Sequence, residues 1–337
     1  MFNPAQIADR GYEAGIPPVL GVRNTGTQAR VQDYDSQIFY VDAGHTMADD
    51  NSMGLDPAAP LATLQELIDR STGVSSNRPA LLCGNTVYVS GDMSESVVTG
   101  TDAQMADHVN IIGVGANGYG PTWDSGAAAS PCLDLRCSTW MIQGFEFEVP
   151  TASAAIILQE VTVSGYSAYK TQVQNCIFDG LWGGLYGVQF VGAPHRCVIQ
   201  GNHFMEIRQG GGGGFGIFIT DSTETNPYEC TIANNRFTEC QNHIGSLGGI
   251  RGFNVSLFQG NIHESGVLIP TVLYLDLRGG SRGENIVYQN LFMGDYSNTG
   301  GYYAHAANPG SWVGNQAEDV LEAEVGDNGM TIAPPAA

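Results

Sequence analysis

Five side chains form the group best suited to chemistry: His203, Glu206, Arg236, Glu239 and Glu264. Measured from Asn202 and Asn235, His203 and Arg236 hold one position, and Glu206 and Glu239 hold another. If those asparagines sit at equivalent points of stacked strands, each pair lies about 4.8 Å apart, with Glu264 close by on the next coil. Two carboxylates about 5 Å apart suit a retaining glycosidase, one as acid and one as nucleophile. The alternative is a row of solvated charges on an outward face, the ordinary place for such residues. That alternative is preferred, and no residue is assigned a catalytic role.

Other candidates resolve into structure. His45, His108, His195, His243, His263 and His305 show neither HxxxH nor HExxH spacing, and the seven cysteines (83, 132, 137, 176, 197, 230, 240) contain no CxxC pair, so no metal and no cofactor is expected. The odd set suits reduced thiols. Stacked Cys197 and Cys230 allow a disulfide, but buried free thiols fit better. The oxygen-rich loop DDNSMGLD, residues 49–56, lacks the alternation of an EF-hand, and Asp56 is read as the cap of a helix starting near Pro57. The run Gly210 to Gly214 precedes GIFIT, a strand pattern, and so reads as a turn and not a phosphate loop. Trp182, Tyr186, Tyr302, Tyr303 and Trp312 could stack on a glycan or pack as half-buried strand aromatics.

The elements that must position these residues recur. VIQGNHF, TIANNRF, LFQGNIH and IVYQNLF share an apolar residue, a polar or small pair and Asn202, Asn235, Asn261 or Asn290. Asn315 extends the register one way, and Cys176, Phe145 and Val114 the other, with spacings of 31, 31, 26, 33, 26, 29 and 25 residues. A near-constant core with variable turns is what a solenoid requires. Three places before the register lie Ile142, Val173, Ile199, Ile232, Phe258 and Val287, and two places after it Phe147, Phe178, Phe204, Phe237 and Phe292. By strand alternation both columns face inward, and the segment between them is a turn whose asparagines stack into an amide ladder.

Composition agrees. With 42% apolar residues, 45 glycines and 14% charged residues, the chain suits turn-rich β structure. Thirty-four acidic residues against 13 basic ones give a net charge of −21, which argues against nucleic-acid binding. No apolar run is long enough for membrane insertion, and the amino-terminal residues lack a secretory signal pattern. The fold expected is all-β: a right-handed parallel β-helix over 76–316, a strand, loop and short capping helix over 38–75, an extended attachment arm over 1–37, and an acidic then Pro/Ala-rich tail over 317–337. Leu61, Leu64, Leu67 and Ile68 give the helix an apolar face, and Gly73 is a plausible stop.

FYVDAG, the acidic loop after it, PLATLQELI and the NxF coils together resemble the pectate-lyase-like superfamily of right-handed β-helices over roughly residues 38–315. The resemblance implies either a carbohydrate-active enzyme or a viral or cell-surface fibre. Polygalacturonase-like members carry NTD, DD, GHG and RIK motifs; here only Asp49-Asp50 matches. Pectate-lyase-like members use calcium and a basic residue, and Lys170 is the sole lysine. The expectation is therefore a non-enzymatic bacteriophage virion protein, a tail spike, fibre or capsid decoration. It would be attached to other virion proteins by its arm, be a homotrimer, and contact a host-surface glycan. A polysaccharide lyase or glycoside hydrolase is the alternative, and a bacterial adhesin a third reading.

Overall fold

The computed structural model describes residues 37–318, except 73–77, 101–104, 116–119, 162–165, 210–212, 221–225, 248–250, 265–272, 278–283, 294–302 and 306–310. The arm except its last residue, the tail beyond 318, Gly73 and Tyr302 lie outside the described residues.

Three short strands per coil stack into three parallel sheets of a right-handed β-helix. The first sheet has ten strands, from Ile38–Val41 to Ser311–Val313. The second runs from Met93–Ser94 to Gln316–Glu318, two residues past the boundary read from the sequence. The third begins at Val97–Val98 and ends at Tyr303–His305. One antiparallel excursion, Tyr166–Ser167 against Ala154–Val161, interrupts the parallel order.

The expected inward columns are the core. Ile142, Val173, Ile199, Ile232, Phe258 and Val287 are buried in the first sheet. In the second, Phe147, Phe178, Phe204 and Phe237 stack ring on ring with centroids 4.6–5.1 Å apart. His263 takes the next place between Phe237 and Phe292.

The asparagines form the ladder. In each rung Oδ1 accepts the backbone N–H of the preceding corner, while Nδ2 donates to a carbonyl three places earlier on that coil. For Asn235 these are Asn202 N at 3.0 Å and Ile199 O at 2.9 Å, and Nδ2 also reaches Asn261 Oδ1 at 3.1 Å. The same pattern runs through Asn261, Asn290 and Asn315, and Cys176 N donates to Asn202 Oδ1. The residue before each rung is left-handed, with φ of 67° at Gly201, 54° at Asn234 and 61° at Gly260. Glycine and asparagine tolerate that turn. A second, shorter ladder at the corner before the first sheet joins Cys230 N to Ser256 Oγ and Ser256 N to Asn285 Oδ1.

The capping helix, Leu64–Ser71 (α1), starts later than Asp56 would place it. Leu61 is already spent, its N–H on Tyr40 O and its carbonyl on Asp42 N. Thr63 is the cap instead, accepting from Glu66 N, and Asp56 only closes a local turn with Ala58 N. Glu95 accepts from Leu64 N and Gln65 N, while Gln65 Oε1 takes Val98 N at the edge of the third sheet. Leu64, Leu67 and Ile68 are buried in the common core, so α1 covers an edge that would otherwise invite pairing.

The faces differ in charge. On the first sheet the outward positions of all ten strands hold Ile, Leu, Val, Met, Ala, Thr, Ser, Tyr, Asn or Gln and no charged residue. On the second sheet Asp124, Glu148 and Asp179 fall near one outward line with Glu264.

Candidate functional site

Strands His203–Met205, Arg236–Thr238 and Ile262–Glu264 of the second sheet carry the five candidate residues, with His203 paired to Arg236 and Thr238 to Glu264 in register. Glu206 and Glu239 follow at the corner toward the third sheet, both left-handed, with φ of 55° and 54°. The column assignments of the sequence therefore hold, but the side chains divide into two groups.

In the strand group Arg236 forks onto Glu264, with Nη2 and Nε 2.6 and 3.2 Å from Oε2. His203 Nε2 lies 3.1 Å from Thr238 Oγ1. Burial, then the Arg236 guanidinium, holds the His203 imidazole below its usual value against the pull of Glu264 and Asp179. The histidine is thus kept neutral beside an ion pair.

In the corner group Arg208 is the organiser. Its Nη2 binds Glu239 Oε2 at 2.9 Å, its Nε binds Glu239 O at 3.0 Å, and its guanidinium lies 3.8 Å from the centroid of the Trp182 ring. Arg208 is buried, whereas the indole is 49% exposed. Glu206 belongs to no ion pair among the described residues. Burial, then the carboxylates of Asp179 and Glu239, raises its proton affinity above the usual carboxylate range, with Arg208 acting in the opposite sense. The Asp179 carboxylate is itself turned to Leu181 N at 2.9 Å.

Chemically, Glu206 can hold a proton longer than a free glutamate does, and Glu239 sits one strand spacing away, about 4.8 Å between backbones. A retaining pair needs the carboxyl groups themselves about 5–5.5 Å apart. However, Glu239 is already clamped by Arg208 and Glu264 by Arg236, so both carboxylates act as ties between coils. Arg208, Asp179 and Thr238 were invisible as partners in the sequence. Arg208 lies in the irregular stretch before the glycine run, where no column marks it.

Elsewhere, a cleft of about 720 Å³ near the amino-terminal coils is lined by Asp42, His45, Ser90 and Asp92. Its side chains bond one another or the local backbone. Ser90 Oγ donates to Asp42 Oδ2 at 2.9 Å, and His45 Nδ1 accepts Met47 N at 3.1 Å. The 49–56 loop is organised around guanidinium groups: Arg70 Nη2 takes the carbonyls of Asp50 and Ser52, and Arg78 takes Asp50 O and the Asn51 side chain. Its carbonyls are thereby occupied by internal cations. His243 and His263, unlinked by sequence spacing, meet in the core with Nδ1 atoms 3.0 Å apart. Tyr186 stacks on Phe218 at 4.0 Å, an ordinary packed aromatic. All seven cysteines are free, so Cys197 and Cys230 are the stacked buried thiols expected. Among the described residues no group of three or more His, Cys, Asp and Glu could hold a metal ion.

No protein-family model matches the chain, and no curated protein matches it.

Proposed function

We propose that the chain is a non-enzymatic structural protein of a bacteriophage virion, a rigid rod displayed on the particle and attached through residues 1–37, in three copies. The observation that carries this reading is the use of the polar groups. The amides of Asn202 through Asn315 are spent on joining coils, and so are two of the three candidate glutamates, Glu239 and Glu264. Such a rod resists local opening, because each coil is hydrogen-bonded to both neighbours. The resemblance of the FYVDAG opening and the NxF coils to β-helical fibres and spikes points the same way. A host-surface glycan would be met along the rod, with the exposed Trp182 ring as a stacking surface. Gold-labelled antibody against the purified chain tests the proposal: regular decoration of intact particles is expected, and particles free of label and of the polypeptide would refute it.

A second reading, cleavage of a glycan, is favoured by one observation: Glu206 belongs to no ion pair among the described residues, and burial, Asp179 and Glu239 raise its proton affinity. Oligosaccharide release from acidic or neutral polysaccharides that disappears in Glu206→Gln and in Glu239→Gln would establish it. Absence of release from all substrates leaves the structural role.

A further inference from the structure

We propose that the outer face of the first sheet is where copies of this chain pack against one another. The inference deepens the three-copy part of the proposed function and rests on that reading only for the existence of further copies.

Charge selects the face. A chain carrying −21 repels its own copies wherever acidic groups meet, and the second sheet presents Asp124, Glu148 and Asp179. Across ten strands the first sheet presents no ionisable Asp, Glu, Lys or Arg at any outward position. Its neighbouring corner, the left-handed column that includes Gly201, Asn234 and Gly260, is also uncharged. Core regions of protein interfaces are depleted of charge in this way.

The face is open toward its carboxy-terminal end, whereas outward Thr86, Tyr88, Asn110, Met141, Gln143 and Gln174 nearer the amino-terminal end are already buried within the chain. Ile286 is 47% exposed and Val313 53% exposed on its carboxy-terminal strands, side chains that an isolated rod leaves in water.

Geometry favours three copies over two. Ten strands at about 4.8 Å and three residues of width make a strip about 45 Å by 10 Å. That falls short of the roughly 800 Å² per partner of a standard interface. Three rods meeting on a common axis add the flanking corners to the strip, and they keep all amino termini at one end.

The test is the solution mass of the purified full-length chain by light scattering. The expected result is three times 35.7 kDa. Thr231→Glu and Ile286→Glu should each reduce it to a single copy, while Met205→Glu on the second sheet leaves it unchanged. Thr231→Lys makes the chain less acidic and should still dissociate the assembly, because a buried charge on this face is what breaks it. Thermal unfolding of each variant confirms that it folds. A single-copy wild type, a mass insensitive to Thr231 and Ile286, or dissociation by the glutamate variants but not by Thr231→Lys would overturn the proposal. None of these outcomes bears on whether labelled antibody finds the chain on particles.

Discussion

Acid should destabilise this protein through a pair of core histidines. His243 and His263 are fully buried, stacked among Phe237, Tyr274 and Phe292, and joined through their Nδ1 atoms, which requires one ring to donate and the other to accept. Two neutral rings satisfy that contact, and two imidazolium rings cannot. Burial pushes His263 down to about 3, and burial together with His263 pushes His243 down as well. An unfolded histidine titrates near 6.5. Below that value the unfolded chain takes up protons that the native protein refuses, so stability falls as the pH drops from about 6.5 toward 3. For His263 alone the loss between pH 7 and pH 5 is about 2 kcal/mol, and it approaches about 5 kcal/mol below pH 3. His243 adds to it in the same direction. The perturbation is the double variant His243→Phe/His263→Phe, which extends the phenylalanine column. Urea denaturation followed by circular dichroism, at pH 7 and pH 5, should show the wild type losing at least about 2 kcal/mol more than the variant. Crowding by the larger rings would lower both values equally and leave the difference. Parallel losses in the two proteins would refute the reasoning.

Three further outcomes follow from the core and the cap. Burial holds Cys176 and Cys240 up at about 12 and raises Cys132 and Cys197, whereas Cys83 is exposed, so a thiol reagent should modify one cysteine in the native protein and all seven after unfolding. More than one fast-reacting native thiol would contradict the packing of the Cys197 and Cys230 corner. Arg70→Met removes the guanidinium that gathers the Asp50 and Ser52 carbonyls and pairs with Glu66; a loss of about 3–5 kcal/mol is expected. Added calcium should leave the wild-type melting temperature unchanged, since those carbonyls are occupied, and a calcium-dependent rise would show that the loop binds the ion.

The first and second sheets were legible in the sequence because their inward positions recur at fixed offsets from one corner. Ile199, Asn202 and Phe204 repeat as Ile232, Asn235 and Phe237, and the structure pairs them directly. The third sheet was not, because variable loops precede it and its strands range from Val97–Val98 to Ala154–Val161 with no fixed residue type. His263 escaped notice for a related reason. It occupies a phenylalanine position, but its partner His243 lies on the third sheet, whose register the sequence does not disclose. Asp56 misled because it has the composition of a cap, while backbone pairing of Leu61 with the first strand delays the helix to Thr63. In the candidate site the columns were readable and the pairing was not: Arg208 reaches Glu239 from a segment without periodicity.

The most direct measurement is the unfolding free energy of Asn261→Ala. The substitution deletes the bonds of Asn261 Nδ2 to Ile232 O and Asn290 Oδ1, and removes the acceptor of Asn235 N and Asn235 Nδ2. With buried partners stranded at roughly 1–3 kcal/mol each, a loss of about 3–6 kcal/mol is predicted. A loss under about 0.5 kcal/mol, the size of an ordinary surface change, would mean that the amides do not hold the coils together.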